Sequence, residues 1–395
     1  MALVHSDIRG PLYEEALRME KDGVPVLKLN TGNPGRFGFP MPASVRAALM
    51  SRADEAVPYC DVRGMEDARQ DIAAYHMARG LKGVSPDKVF ITNGVSEAAT
   101  MLMTALLSAG DEVLMPSPCY SLWSNAAFLT GARPVFYRCD PENGWDPDID
   151  DIRSKLTPRT RAVLVINPNN PTGALYQRET LLAIADIARE NSLLMISDEI
   201  YDRLMLDGKE HISLSSLAPD VPCVTLNGLS KSHIICGFRC GWMVFSGPEG
   251  ETEELRAAVL KLASMRLCGN ALTQLTIPAA LRDEASTRAM LVKGGRLYEQ
   301  REVVCSALDG IPGVSYVRNS AAFYLFPGLD KGAFDFKDAQ DFSMRFLHEC
   351  HVLVIPGTGF EWDRDLRFRI VMLPEKDVLA RAMQDLAAFL DRHRL

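Results

Sequence analysis

Apolar positions in this chain fall into short, nearly continuous runs separated by stretches with helical spacing. From about residue 64 the two textures alternate. Helical spacing over Met65–Ala78 precedes the run Val89–Thr92, and spacing over Glu97–Leu107 precedes Glu112–Met115. Further runs occupy Pro134–Tyr137, Arg161–Ile166, Leu193–Ser197, Cys223–Leu226 and Gly241–Phe245, with a helical pattern over Glu179–Glu190. Strands apolar on both faces and separated by helices predict an α/β fold, with a mostly parallel seven-stranded sheet between helical layers.

After about residue 280 the texture changes. A long helical stretch, Thr287–Leu308, leads to strand patterns at Val314–Val317 and Ala322–Phe326, then a helix over Ala339–Cys350. Strands Val352–Ile355 and Arg367–Val371 and a closing helix Asp377–His393 complete an α+β region. The expected organisation is an N-terminal arm and helix over residues 1–40, a large domain over 41–280, and a smaller one over 281–395. The helical pattern Tyr13–Lys21 has no sheet of its own and is expected to pack with the smaller domain.

Composition narrows the class. The 395 residues are 47% hydrophobic and 24% charged, as in an ordinary globular enzyme. A formal net charge of −8 argues against a nucleic-acid or anionic-membrane surface, so anionic ligands must be met by local arginines. No apolar run approaches the ~18–20 residues of a membrane span. The first residues lack a basic start followed by an apolar run, so no signal peptide and a cytoplasmic location are expected. Nine scattered cysteines without a metal-like pair suggest reduced thiols. Cys236 and Cys240 read as small core residues, and His348 and His351 as the polar end of a helix; no metal site is expected.

Candidate chemistry lies at the ends of predicted strands, where open parallel sheets bind ligands. In Leu229-Ser230-Lys231-Ser232-His233-Ile234-Ile235-Cys236-Gly237-Phe238-Arg239, two cations that repel make sense around an anion, with the lysine needed as a neutral amine. Strand Ala162–Ile166 ends in Asn167-Pro168-Asn169-Asn170-Pro171-Thr172-Gly173, a rigid turn presenting Asn170. Strand Leu193–Ser197 ends in Asp198-Glu199-Ile200-Tyr201; an aspartate closing a buried strand is costly unless it meets a cation. Strand Val89–Thr92 ends in Asn93-Gly94-Val95-Ser96-Glu97, which opens a helix and offers amides and a hydroxyl to an anion. A covalent lysine, an anion cradle and a cation for Asp198 together describe a pyridoxal-phosphate site.

These motifs resemble the class I/II aminotransferases, the fold-type I pyridoxal-phosphate enzymes, over nearly the whole chain. The resemblance rests on NPNNPTG, SDEIYD, LSKSHIICGFR and Phe368-Arg369-Ile370. The wording NGLSK, GFRCGW, SMRLCGN, GGRLYEQR and DIRGP is most similar to the bacterial alanine (glutamate–pyruvate) aminotransferase group. It implies transamination between alanine and 2-oxoglutarate by a ping-pong mechanism, with pyridoxal 5'-phosphate as cofactor and amino and 2-oxo acids as substrates.

Roles follow by resemblance. Lys231 would form the Schiff base and shuttle the proton, and Asp198 would pair with the pyridine nitrogen. Tyr201 and Asn170 would hydrogen-bond the ring oxygen; Val95, Ser96, Ser230 and Arg239 would bind phosphate; Tyr120 would stack on the ring. Arg369 would grip the substrate α-carboxylate, helped by Asn170 and the Gly32 amide. Tyr59 would cross from a partner subunit to the phosphate, which implies a homodimer. Relatives with a hydroxyl residue three places before the lysine differ from this chain, which has Gly228. For a distal carboxylate, Arg9 and Arg266 are candidates, with a surface or interface salt bridge the alternative reading of either; Arg9 is favoured as the substrate-binding residue, because an N-terminal segment could close over small substrates and exclude water. Other donors (aspartate, valine, aromatic amino acids) and a carbon–sulfur β-lyase remain alternatives on the same fold. A non-catalytic regulator is disfavoured, because nothing basic or helix-turn-helix-like precedes residue 30.

Overall fold

The computed structural model describes Val4 and residues 10–395. Its centre is a sheet of eight strands: β1 (Val89–Thr92), β2 (Glu112–Ser117), β3 (Arg133–Asp140), β4 (Asp146–Pro147), β5 (Thr160–Ile166), β6 (Leu194–Asp198), β7 (Cys223–Gly228) and β8 (Gly241–Ser246). Their spatial order is β1-β8-β7-β6-β5-β2-β3-β4. The five strands from β7 to β3 in that order run parallel, and β8 is antiparallel to both of its neighbours. The seven predicted strands are all present. The eighth is the two-residue β4, antiparallel on the edge of β3; a strand that short leaves no periodic signal, and an edge is where its proline is tolerated.

Alternate residues of the central strands feed opposite cores. Ala162, Leu164 and Ile166 of β5 pack with Leu102, Trp123 and Val259 on one face. Val163 and Val165 pack with Leu181, Ile184 and Ile187 on the other. The two-residue repeat of the strand therefore buries both sides, which is why these runs are continuously apolar. The helix Arg178–Glu190 buries Leu181, Ile184, Ala185, Ile187 and Ala188, three or four positions apart, on a single stripe.

C-terminal to the sheet, helices Arg296–Asp309, Ala339–Cys350 and Lys376–Arg392 surround a three-stranded sheet in which Phe368–Val371 lies between Tyr324–Leu325 and Ile355–Pro356. Their shared core includes Leu308, Phe342, Phe346, Phe368, Leu386 and Phe389. Leu27–Lys28 pairs in parallel with Val352–Leu353, and helix Pro11–Lys21 packs through Leu12, Ala16 and Met19 on Leu347 and Leu353. The single long helix expected over 287–308 is two, Ala285–Leu291 and Arg296–Asp309. Gly294 has φ +87° between them, and a Cβ on Gly295 would stand 2.4 Å from the Ala289 carbonyl oxygen, so the backbone turns where no side chain fits.

Candidate active site

The ends of β1, β5, β6 and β7 open on one cavity of about 1000 Å³. Its lining includes Gly32, Val95, Ser96, Tyr120, Asn170, Asp198, Tyr201, Ser230, Lys231, Arg239 and Arg369, so one space gathers these expected residues from seven separate chain segments.

One end is an anion cradle. Helix Val95–Leu106 begins immediately after Gly94, whose φ is +84°. A Cβ on Gly94 would lie 2.3 Å from Arg239 Nη2, and one on Gly241 would lie 2.5 Å from the Val95 amide nitrogen. Two glycines thus let the guanidinium and a neighbouring strand close on the helix start. Arg239 adopts a left-handed φ of 56° and donates from Nη1 to the Cys236 carbonyl at 2.9 Å. The free amides of a helix's first turn, the Ser96 hydroxyl and this cation favour a phosphate-sized anion.

At the floor, Asp198 ends β6 and is buried. Burial pushes its carboxyl up to about 6, while donation from Trp123 Nε1 at 3.0 Å and from the Ile200 amide at 3.2 Å pulls the other way. Tyr201 lies one turn beyond, and its hydroxyl is 2.9 Å from that of Tyr324. Burial, then Tyr324, raises the Tyr201 phenol well above its ordinary range.

Lys231 follows β7 on a loop and is half-buried. Its Nζ donates to the Gly32 carbonyl at 2.7 Å and lies 4.0 Å from Cys236 Sγ. Burial lowers the amine's pKa, but Tyr324, Cys236 and Tyr120 outweigh it and leave the amine above its ordinary value.

Asn170 is fixed by its turn. Asn167-Pro168 is cis, Asn169 Oδ1 accepts from the Thr172 amide and hydroxyl, and Gly173 has φ +68°. Asn170 Oδ1 accepts from Arg369 Nη1 at 2.9 Å, and Arg369 Nη2 donates to the Asn30 carbonyl. The buried Arg369 Nε has no partner among the described residues. Burial draws the guanidinium's pKa down, opposed by the phenols of Tyr324, Tyr201 and Tyr120. A buried, aimed donor of this kind calls for an acceptor such as a carboxylate.

These residues fit pyridoxal phosphate. Asp198 is a buried carboxylate met only by neutral N–H donors, as a pyridinium nitrogen requires, and the cradle matches a phosphate. The site also differs from the expectation in places. Arg266 does not line the cavity; it pairs with Glu97 and donates to the Val62 and Ile91 carbonyls, so the salt-bridge reading holds. Cys236 does line the cavity, because the loop after Lys231 folds back, while Cys240 is buried in the core as expected. Gly228 could not carry a hydroxyl side chain: a Cβ there would stand 2.5 Å from the Cys240 carbonyl oxygen. Tyr59 is 81% exposed and outside the cavity lining. Arg9 lies outside the described residues. Sequence reasoning missed Trp123 and Tyr324, though a tryptophan in an apolar helix needs somewhere to send its N–H. No three-residue cluster of metal-ligand type occurs among the described residues, nor a helix long and apolar enough to cross a membrane.

Comparison with known proteins agrees with this chemistry. Residues 24–386 match the family model for aminotransferase class I and II. The glutamate-pyruvate aminotransferase AlaA of Escherichia coli (strain K12) is 44% identical over 384 residues, 97% of this chain and 95% of that protein. The alanine aminotransferase of Mycobacterium tuberculosis (strain ATCC 25618 / H37Rv) is 43% identical over 389 residues, 98% of this chain and 91% of its own length. Among solved structures, an Escherichia coli aminotransferase superposes with a TM-score of 0.97 at 44% identity, covering 100% of this chain and 97% of that one. The alanine aminotransferase of Pyrococcus furiosus does so at 0.94 and 39% identity, covering 99% and 98%. The buried acid, the anion cradle and the lysine fit that family's cofactor, and the chain belongs to the class I and II aminotransferases, which use pyridoxal phosphate to move amino groups between amino acids and 2-oxo acids.

Proposed function

We propose that this chain exchanges the amino group between alanine and 2-oxoglutarate, giving pyruvate and glutamate, in two half-reactions of ping-pong type. Support for the substrate pair is the 44% identity to a glutamate-pyruvate aminotransferase and 43% to an alanine aminotransferase, each over nearly the full chain. The observation that carries the chemistry is the convergence of Lys231, Asp198 and Arg369 on one cavity.

Bound pyridoxal phosphate supplies an electron sink that makes an amino acid's Cα proton removable. Asp198, as a carboxylate, would meet the ring nitrogen and favour its protonated form. Tyr201 and Asn170 would donate hydrogen bonds to the ring oxygen, and Tyr120 would stack on the ring. Val95, Ser96, Ser230 and Arg239 would hold the phosphate. Arg369, with Asn170 and the Gly32 amide, grips the α-carboxylate and fixes the Cα–H bond near Lys231 Nζ. Lys231 then carries the proton as base and returns it as acid.

The same reading places the protein in the cytoplasm as a homodimer, with Tyr59 reaching the phosphate of the neighbouring subunit. Its exposure in a single chain supports that assignment. The chain is divided into an arm over 1–40, a large domain over 41–280 and a small one over 281–395. The test is a half-reaction screen of amino acids on purified holoenzyme, scoring loss of the bound cofactor's visible absorbance. A narrow response to alanine and glutamate is expected. Preference for aspartate, valine, aromatic or sulfur amino acids, or release of pyruvate and ammonia from cystathionine without a second oxo acid, would overturn the reading.

A further inference from the structure

A dicarboxylic substrate needs a second cation, and the cavity itself supplies the candidates. Among the described residues five cations line it: Lys28, Arg36, Lys231, Arg239 and Arg369. Four are engaged. Lys28 Nζ is 2.6 Å from Glu20 and lies over the Tyr13 ring, so its charge is already met. Lys231 is held by the Gly32 carbonyl. Arg239 is locked against the helix start by Gly94. Arg369 donates to Asn170 and to the Asn30 carbonyl.

Arg36 is different. Its guanidinium has no ion pair or hydrogen-bond partner among the described residues, and the residue is exposed. Its backbone is fixed nonetheless. It sits in the 3-10 turn Pro34–Phe37; its amide donates to the Asn33 carbonyl at 3.1 Å, and the next carbonyl, that of Phe37, accepts from Arg296. The same short stretch of chain presents the Asn30 carbonyl to Arg369 and the Gly32 carbonyl to Lys231. The turn therefore fixes where the side chain starts, while its charged end meets no partner among the described residues. Arg36 is ordered relative to both the carboxylate grip and the proton carrier, yet spends its charge on neither.

We infer that Arg36 receives the distal carboxylate of the dicarboxylic partner and so determines specificity for glutamate and 2-oxoglutarate over monocarboxylates. This rests on the transamination reading above and names the residue that reading lacks. Alanine and pyruvate offer Arg36 nothing, so one pocket handles both substrates: the second carboxylate engages a solvent-facing cation when present, and water takes its place when absent. An exposed pair of this kind is screened by salt, unlike the buried pairing at Arg369.

The experiment measures kcat and KM for both half-reactions of the holoenzyme with Arg36→Ala, Arg36→Lys and Arg9→Ala. Arg36→Ala is expected to raise KM for glutamate and 2-oxoglutarate by about ten- to a hundredfold, the range of a lost charge-assisted contact. KM for alanine and pyruvate should stay at the wild-type value, which also shows that the variant folds and holds cofactor. Arg36→Lys should recover part of the loss, because a point charge replaces a fork. The rise of the glutamate KM with ionic strength should flatten in Arg36→Ala. An unchanged glutamate KM, an equal loss for alanine, or a substrate-selective loss in Arg9→Ala alone would overturn the inference. If the wild-type holoenzyme reacts with neither alanine nor glutamate, the transamination reading falls and this one with it.

Discussion

The floor and the mouth of the cavity are built on opposite principles. At the floor, polar atoms are buried and tied to fixed partners: Asp198 to Trp123, Tyr201 to Tyr324, Arg369 to Asn170 and Asn30. At the mouth, Arg36 is exposed and has no side-chain partner among the described residues, and Lys28 is neutralised by Glu20. The floor must hold one cofactor in one orientation, and buried groups that lose their partners are costly, so its geometry is over-determined. The mouth must admit substrates of two lengths and release them, so its contacts are solvated and weak. Changes at the floor should therefore harm all substrates alike, and changes at the mouth should sort between them.

Two substitutions sharpen that division. Lys231→Ala removes the only amine at the floor among the described residues. Turnover should fall by about three orders of magnitude or more for alanine and glutamate equally, as expected when a base and covalent anchor are lost together, and the bound cofactor's visible band should shift. Steady-state rates near wild type in this variant would remove the lysine from the mechanism. Gly94→Ala should act less strongly, through the cradle. The new methyl group would meet Arg239 Nη2 at 2.3 Å with the backbone already at φ +84°. Strain and displacement of roughly 1–3 kcal/mol predict cofactor affinity lower by about ten- to a hundredfold, read by equilibrium dialysis. The ratio of alanine to glutamate KM, measured at saturating cofactor, should not move. A change in that ratio would mean that floor and mouth are coupled.

The same division explains what could be read from the sequence. The parallel strands were legible because both faces are buried, which forces unbroken apolar runs such as Ala162–Ile166. Asn170, Asp198 and Lys231 were legible because each sits at or just beyond a strand end in a short, chemically odd stretch, whereas Arg369, inside the strand Phe368–Val371, was legible only through the family resemblance. Trp123 and Tyr324 were not, because their partners are 75 and 123 residues away in sequence and no local pattern encodes the meeting. Cys236 was read as core, yet the loop that carries Lys231 turns it into the cavity. The helix break near Gly294 left two glycines as its signal, but a tight turn there depends on the neighbouring Ala289 carbonyl. Arg36, an exposed arginine in a glycine-rich turn, has no local sequence oddity at all. Its distinction lies in what the other four cations are doing.

The smallest predicted effect tests whether Trp123 tunes Asp198 or merely fills space. In the cofactor-free protein the Asp198 carboxyl is pushed up to about 6 from an ordinary 3.8. A group whose pKa is higher when folded adds stability that is fully present below its unfolded pKa and is lost as pH rises through its folded one. Asp198 therefore favours the folded state near pH 4, and that contribution disappears between about pH 4 and 6. Trp123→Phe removes the indole donor from the carboxylate, which pushes the folded pKa higher and extends the loss to higher pH. Packing lost with the smaller ring is independent of pH and sets a constant offset. The other buried acids with raised values, Glu199 and Asp146, are common to both proteins and cancel in the difference to first order. Urea unfolding of cofactor-free wild type and variant from pH 5 to 8 should give a gap that widens by about 1–2 kcal/mol, one unit of pKa being about 1.4 kcal/mol. Parallel stability curves would show that the indole only packs. A widening gap would show that it keeps Asp198 ionised where a cationic ring nitrogen needs it, a task no side chain at the mouth has to perform.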